Sequence, residues 1–125
     1  MAVGDKTTIV RPFAGSARRF CLRPEQIDLL ETKYGSGPLE LVGTFVGRRW
    51  RLCVVRDVLQ LGLIGAGVSE SEATIAVREG IVGPLQLCAM LAMEVLFAAI
   101  VGETDTESAM AEALSSIASG GQELN

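Results

Sequence analysis

Residues Pro84 to Val101 read PLQLCAMLAMEVLFAAIV, eighteen positions with a single charge, Glu94, and no basic residue. Pro84 suits a first helical turn, where its missing N–H costs nothing. Leu, Met, Ala and Glu fill most of the remaining positions and are good helix formers. Gly102 stands where a C-terminal cap belongs. A helix of this length spans about 27 Å at ~1.5 Å per residue. Its polar positions, Gln86 and Glu94, share one side with Met90 between them, and every other side is apolar. Such a helix is central to a small core, docked on a partner, or in a membrane. The membrane reading fails on magnitude. Eighteen residues are at the short edge of a spanning segment, and an acid near its centre costs about 2.5–3.5 kcal/mol. No Lys or Arg follows Arg78 to anchor the far side, and the segment lies too far from the N-terminus for a signal peptide. The expectation is a core helix in a soluble, cytoplasmic chain, touching the faces of Ile27/Leu30 and Val55/Leu59 and forming the most buried element.

Working back towards the N-terminus, Ser69 or Ser71 can cap a preceding helix, ESEATIAVREGIV, with Glu72 three residues after Ser69 as a capping-box partner. Before it, Leu52, Val55, Val58 or Leu59, and Gly62 or Leu63 share one helical face, while Arg56, Asp57 and Gln60 lie opposite. These predict a helix over 52–63, although the β-branched CVV leaves a strand open for 50–55. PLELVGTFV, 38–46, reads as a short helix weakened by Gly43. PEQIDLLETKYG carries acids early, Lys33 late and Gly35 past its end, with Ile27, Leu30 and Tyr34 in helical spacing. These signals predict an amphipathic helix over 24–34. At the front, Thr7–Phe13 and Arg18–Leu22 are β-prone runs joined by AGSA, a four-residue turn, so a β-hairpin is expected. Pro12 confines its strand to an edge or an end.

The chain is thus expected to be mostly α within an α+β class: an N-terminal hairpin followed by a compact bundle of four to five short helices. One domain over 1–102 accounts for these elements, and 125 residues suffice to bury about two-thirds of the unfolded surface. Beyond Gly102, ETDTESAMAEALSSIASGGQELN is acidic and rich in small residues, with one apolar stripe of Met110, Leu114 and Ile117. It reads as an acidic C-terminal tail over 103–125, a marginal helix or a segment that folds only on a partner. Charge follows the same division. Residues 1–78 hold all eleven Lys and Arg against eight acids, and residues 79–125 hold seven acids and no base. Asymmetry of this kind suits an acidic tail or charge-complementary self-association, hence a homo-oligomer. It does not suit nucleic-acid binding, whose footprint is a basic face.

Little here can do chemistry. The chain has no histidine, the commonest general base and metal ligand. Cys21, Cys53 and Cys88 stand 32 and 35 residues apart among apolar neighbours, which fits reduced structural thiols rather than a zinc or redox site. Glu103, Asp105 and Glu107 alternate along the tail as a solvated charge run. Gly62-Leu63-Ile64-Gly65-Ala66-Gly67 has the reverse of the dinucleotide spacing and follows a helix, so it reads as a helix end and loop. Arg48, Arg49 and Arg51 around Trp50 read as a solvated face with one anchoring aromatic. No catalytic residue, cofactor or metal is expected, and the protein is not expected to be an enzyme.

One block is more specific. Trp50 to Gly67 runs W-R-L-x-x-V-R-D-V-L-x-L-G-L-I-G-x-G, between a hairpin with an acidic amphipathic helix and an apolar helix ending L-F-x-x-x-x-G. It resembles the small tail proteins of gene transfer agents and related phages over about residues 7–102. The residues carrying this are Trp50, Leu52, Val55, Asp57, Val58, Leu61, Gly62, Leu63, Ile64, Gly65, Gly67, Leu96 and Phe97. Members are labelled both as tail tube proteins and as tail assembly chaperones. The tail after Gly102 is longer than that resemblance leads one to expect, so nothing is carried over to it. The resemblance implies partners in the tail tape-measure protein or tail tube subunits, no catalysis, and a place in the bacterial host cytoplasm or in the particle. A chaperone would coat the hydrophobic tape-measure protein, whereas a tube subunit would supply long β-strands, and only two short ones are legible. The partner-binding residues expected from spare apolar surface are Trp50, Leu63, Ile64, Met110, Leu114 and Ile117.

Overall fold

The apolar segment does form a helix, α5 (Leu85–Val101), with Pro84 as its N-cap and Gly102 closing it. In the computed structural model, which describes residues 7–102, six elements precede it. They are β1 (Thr8–Phe13), β2 (Ser16–Cys21), α1 (Pro24–Tyr34), α2 (Pro38–Val46), α3 (Leu52–Gly65) and α4 (Glu70–Gly80). Helices take up 65% of the structure and strands 12%, so the expected helix-rich α+β architecture holds. The acidic segment 103–125, with Met110, Leu114 and Ile117, lies outside the described residues.

β1 and β2 pair antiparallel, with Ile9 opposite Phe20 and Phe13 opposite Ser16. The connection is two residues long, where four were expected. Ala14 and Gly15 have φ of 52° and 84°. Positive φ at both centres defines a type I′ turn, whose twist matches that of the strands, and Ser16 and Ala17 therefore join β2. Alanine tolerates that region poorly. Replacing Ala14 by Asn should raise the unfolding free energy by about 0.5–1 kcal/mol, read by urea denaturation. A lower stability would mean that the turn geometry is misassigned.

Helix boundaries follow the capping signals. Gly35, at φ 66°, ends α1 and donates to the Glu31 carbonyl. Ser69 is the cap of α4, its Oγ accepting from Glu72 N at 3.2 Å, which decides between the two serines. α4 ends at Gly80, and Ile81 to Pro84 form the connection to α5. The possible strand at 50–55 is helix from Leu52 onward, and α3 runs two residues further than expected. A helix there puts Val54, Val55, Val58, Leu59, Gly62 and Leu63 on one buried face, which a two-residue alternation would split between faces.

The expected contact of α5 with α3 holds and α5 has the most buried residues, but the hub of the core is α3. α5 contributes eight buried residues and α3, three residues shorter, contributes seven. It is α3 that packs on β2, α4, α5 and α1, while α5 lies against α3, α2 and the hairpin. Ile27 and Leu30 belong to a helix whose main neighbours are α3 and α2 rather than α5. The reason is close approach. A β-carbon at Gly62 would meet Val95 Cγ1 at 3.2 Å and Phe20 Cδ1 at 3.3 Å, and one at Gly65 would lie 1.9 Å from the Cys21 carbonyl oxygen. Only bare backbone lets α3 sit this tightly between hairpin and α5.

Candidate interaction surface

The groups with chemical potential are used for structure. Among the described residues no three His, Cys, Asp or Glu side chains converge as a metal site. All three cysteines are free thiols. Burial pushes the Cys88 thiol up from its ordinary value, disfavouring the thiolate, and its Sγ lies 3.8 Å from the Gly80 carbonyl. The glycine-rich end of α3 is a packing surface, as its contacts with Phe20, Cys21 and Val95 show.

Asp57 of α3 ties α1 in place. Its Oδ2 accepts from Tyr34 Oη at 2.5 Å and from Lys33 Nζ at 2.6 Å. Tyr34 Oη also lies 3.1 Å from the Cys53 carbonyl, so one proton is shared between two acceptors. Burial first, then the Asp57 carboxylate, push the Tyr34 phenol well above its ordinary value. The folded state therefore keeps a proton that the unfolded chain releases near pH 10. Stability should be level below about pH 9.5 and fall as pH rises through 10. Denaturation midpoints from pH 8 to 11 should show this slope in the native chain and a shallower one in Tyr34→Phe. Equal slopes would remove Tyr34 as the cause.

The residues expected to meet a partner are dispersed. Trp50 is partly buried against the core and shares an open cavity with Arg48 and Gln86. Ile64 is likewise partly buried. Leu63 is 0% exposed, because the inward face of α3 carries it into the core, and it offers no surface to a partner. Arg49 and Arg51 line a polar cavity with Tyr34, Ser36 and Thr44, so the arginine cluster is divided between two hollows.

A different apolar surface emerges where the hairpin meets α5. An open groove of about 410 Å³ is lined by Pro12, Phe13, Gly80, Leu87, Met90 and Leu91. Val82 and Leu87 stand on it with 65% and 64% exposure. At one side Arg11 Nε donates to Glu94 Oε2 at 3.2 Å. This pair explains the lone charge of α5: Glu94 faces the hairpin and is neutralised there. The stripe Gln86, Met90, Glu94 did mark the least covered side of the helix. Sequence reading missed Val82 and Leu87 because an exposed aliphatic residue beside a buried helix looks the same as a core one. No helix among the described residues is long and apolar enough to cross a membrane.

Residues 6–102 match the protein family described as Phage tail tube protein, GTA-gp10. No curated protein and no solved structure matches the chain.

Proposed function

The chain belongs to the phage tail tube protein family GTA-gp10, and from that premise we propose that it is a non-enzymatic tail assembly chaperone that binds the tape-measure protein. The observation carrying this reading is the strand content. The sheet among the described residues is one hairpin of two six-residue strands. Each strand is about 20 Å long, too short to supply the continuous wall of a tube. An exposed apolar groove beside that hairpin suits transient cover of a hydrophobic segment. On this reading the partner surface comprises Val82 and Leu87, while Trp50 and Ile64 lie apart from it and are partly buried. The domain is residues 1–102, the site of action is the host cytoplasm during assembly, and no cofactor takes part.

Co-expression with the long tape-measure-like protein encoded nearest to it tests the proposal. A soluble, co-purifying complex is expected. Val82→Asp with Leu87→Asp should reduce co-purification at least about tenfold, while stability stays within about 0.5 kcal/mol because both side chains are exposed. A partner that stays insoluble beside unbound protein would sink the chaperone role.

The second reading is a structural tail component, a tube or tube-junction subunit retained in the particle. The family's description as a tail tube protein favours it. Mass spectrometry of purified particles separates the two, since a subunit is abundant there and a chaperone absent.

A further inference from the structure

A second groove, of about 360 Å³, runs between α3 and α4. Its apolar lining is Leu52, Val77 and Ile81, and each helix adds one guanidinium, Arg56 from α3 and Arg78 from α4. Gln60 Nε2 donates to Thr74 Oγ1 at 3.3 Å and closes one end. Neither arginine has an acid three or four positions away on its own helix. Among the described residues both are exposed, and neither is in an ion pair. Two unneutralised cations flanking an apolar trough call for an acidic occupant with an apolar stripe.

We propose that this groove is covered by the chain's own acidic segment, residues 103–125, docked intramolecularly through Met110, Leu114 and Ile117. Charge selects the groove. Residues 103–109 carry Glu103, Asp105 and Glu107, Glu112 follows, and the segment holds no base. The hairpin groove is a poorer match, because its Arg11 is already paired with Glu94. Length agrees as well. Met110 to Ile117 spans seven positions, as does Thr74 to Ile81 along the groove.

Reach agrees too. Leu52 and Ile81 line the same groove, and Ile81 is four residues before the start of α5. Gly62 further along α3 packs on Val95 further along α5. The two helices therefore run parallel, and α5 finishes beside the C-terminal end of α3. From that end the near edge of the groove, at Gln60, lies ~8 Å along the axis. The seven residues 103–109 reach up to ~24 Å when extended. The segment enters at Gln60 and Thr74 and lies along α4 in the same direction. None of this depends on the tail role proposed above.

Hydrogen exchange read by mass spectrometry on the full chain, at low salt, tests it. Amides of 108–118 should be protected in the native chain, independently of protein concentration. In Arg56→Gln/Arg78→Gln they should exchange at least about fivefold faster, the loss expected for two screened ion pairs. Charge reversal, Arg56→Glu/Arg78→Glu, combined with Glu103→Lys/Asp105→Lys/Glu107→Lys should restore protection. Both arginines are exposed, so unchanged exchange in α5 verifies that each variant folds. Random-coil exchange of 108–118 in the native chain would overturn the proposal. So would protection unaffected by the groove substitutions, or protection that grows with concentration, which would assign the segment to a second copy.

Discussion

Gly65→Ala should destabilise the protein by about 3 kcal/mol, lowering Tm by about 12 °C at ~4 °C per kcal/mol. Helix propensity alone predicts the opposite sign, since Ala is favoured over Gly by about 1 kcal/mol inside a helix. The added β-carbon would sit 1.9 Å from the Cys21 carbonyl oxygen and 2.9 Å from Gln26 Oε1. A backbone atom cannot rotate away, so α3 has to move off the end of β2. Arg23 would be drawn with it, because its Nε donates to the Gly65 carbonyl at 2.9 Å. Gly43→Ala is the matched control. Gly43 also lies within a helix, α2, but a β-carbon there meets nothing within 4 Å. That substitution should stabilise by about 0.5–1 kcal/mol. Thermal melts of the two variants must therefore shift in opposite directions. Parallel shifts would show that α3 and the hairpin are not in close contact.

Phe20→Ala should cost about 3–5 kcal/mol, the range for truncating a buried aromatic. Typical domains have only ~5–15 kcal/mol in total, so the variant should be partly unfolded at 37 °C. Phe20 is 0% exposed and opposes Ile9, also 0% exposed, across the hairpin. Its ring meets Phe13 edge to face, with centroids 5.8 Å apart. It is also the nearest side chain to Gly62 after Val95. One side chain thus joins both strands to α3. Loss of protection should appear first in the hairpin amides and at the C-terminal half of α3, and hydrogen exchange can resolve that order. A variant that melts within 1 °C of the native chain would remove Phe20 from the core.

Both substitutions also bear on function. The proposed partner groove is built where the hairpin closes on α5, so both variants should weaken partner retention indirectly, by loosening β1 and β2. Val82→Asp/Leu87→Asp should weaken it directly with the melt unchanged. The contrast between lost stability and lost binding is what identifies Val82 and Leu87 as surface residues.

Local signals were sufficient for the elements themselves. Pro24, Pro38 and Pro84 start three helices, and Gly35 and Gly102, both at positive φ, end two of them, because a fixed φ or a missing β-carbon acts within one turn of its own position. Ser69 with Glu72 works in the same way. The Trp50–Gly67 block was specific enough to point to the family matched over 6–102. Leu63 and Val82 show where such reasoning ends. Both are aliphatic residues near a helix end, yet one is 0% and the other 65% exposed.

The sequence by itself determined the elements, their caps, the helix-rich class and the family, since each rests on interactions within a few residues or on a contiguous motif. Tertiary structure alone decided that α3, rather than the more apolar α5, is the hub of the core, and that Glu94 faces Arg11, eighty-three positions away. It also decided that Gly62 and Gly65 serve close packing and that the open apolar surface lies at Val82 and Leu87. Those outcomes depend on which surfaces meet across long sequence separations. Hydrophobicity is non-directional: it requires an apolar side chain to be covered, but the shape of the neighbours settles what covers it.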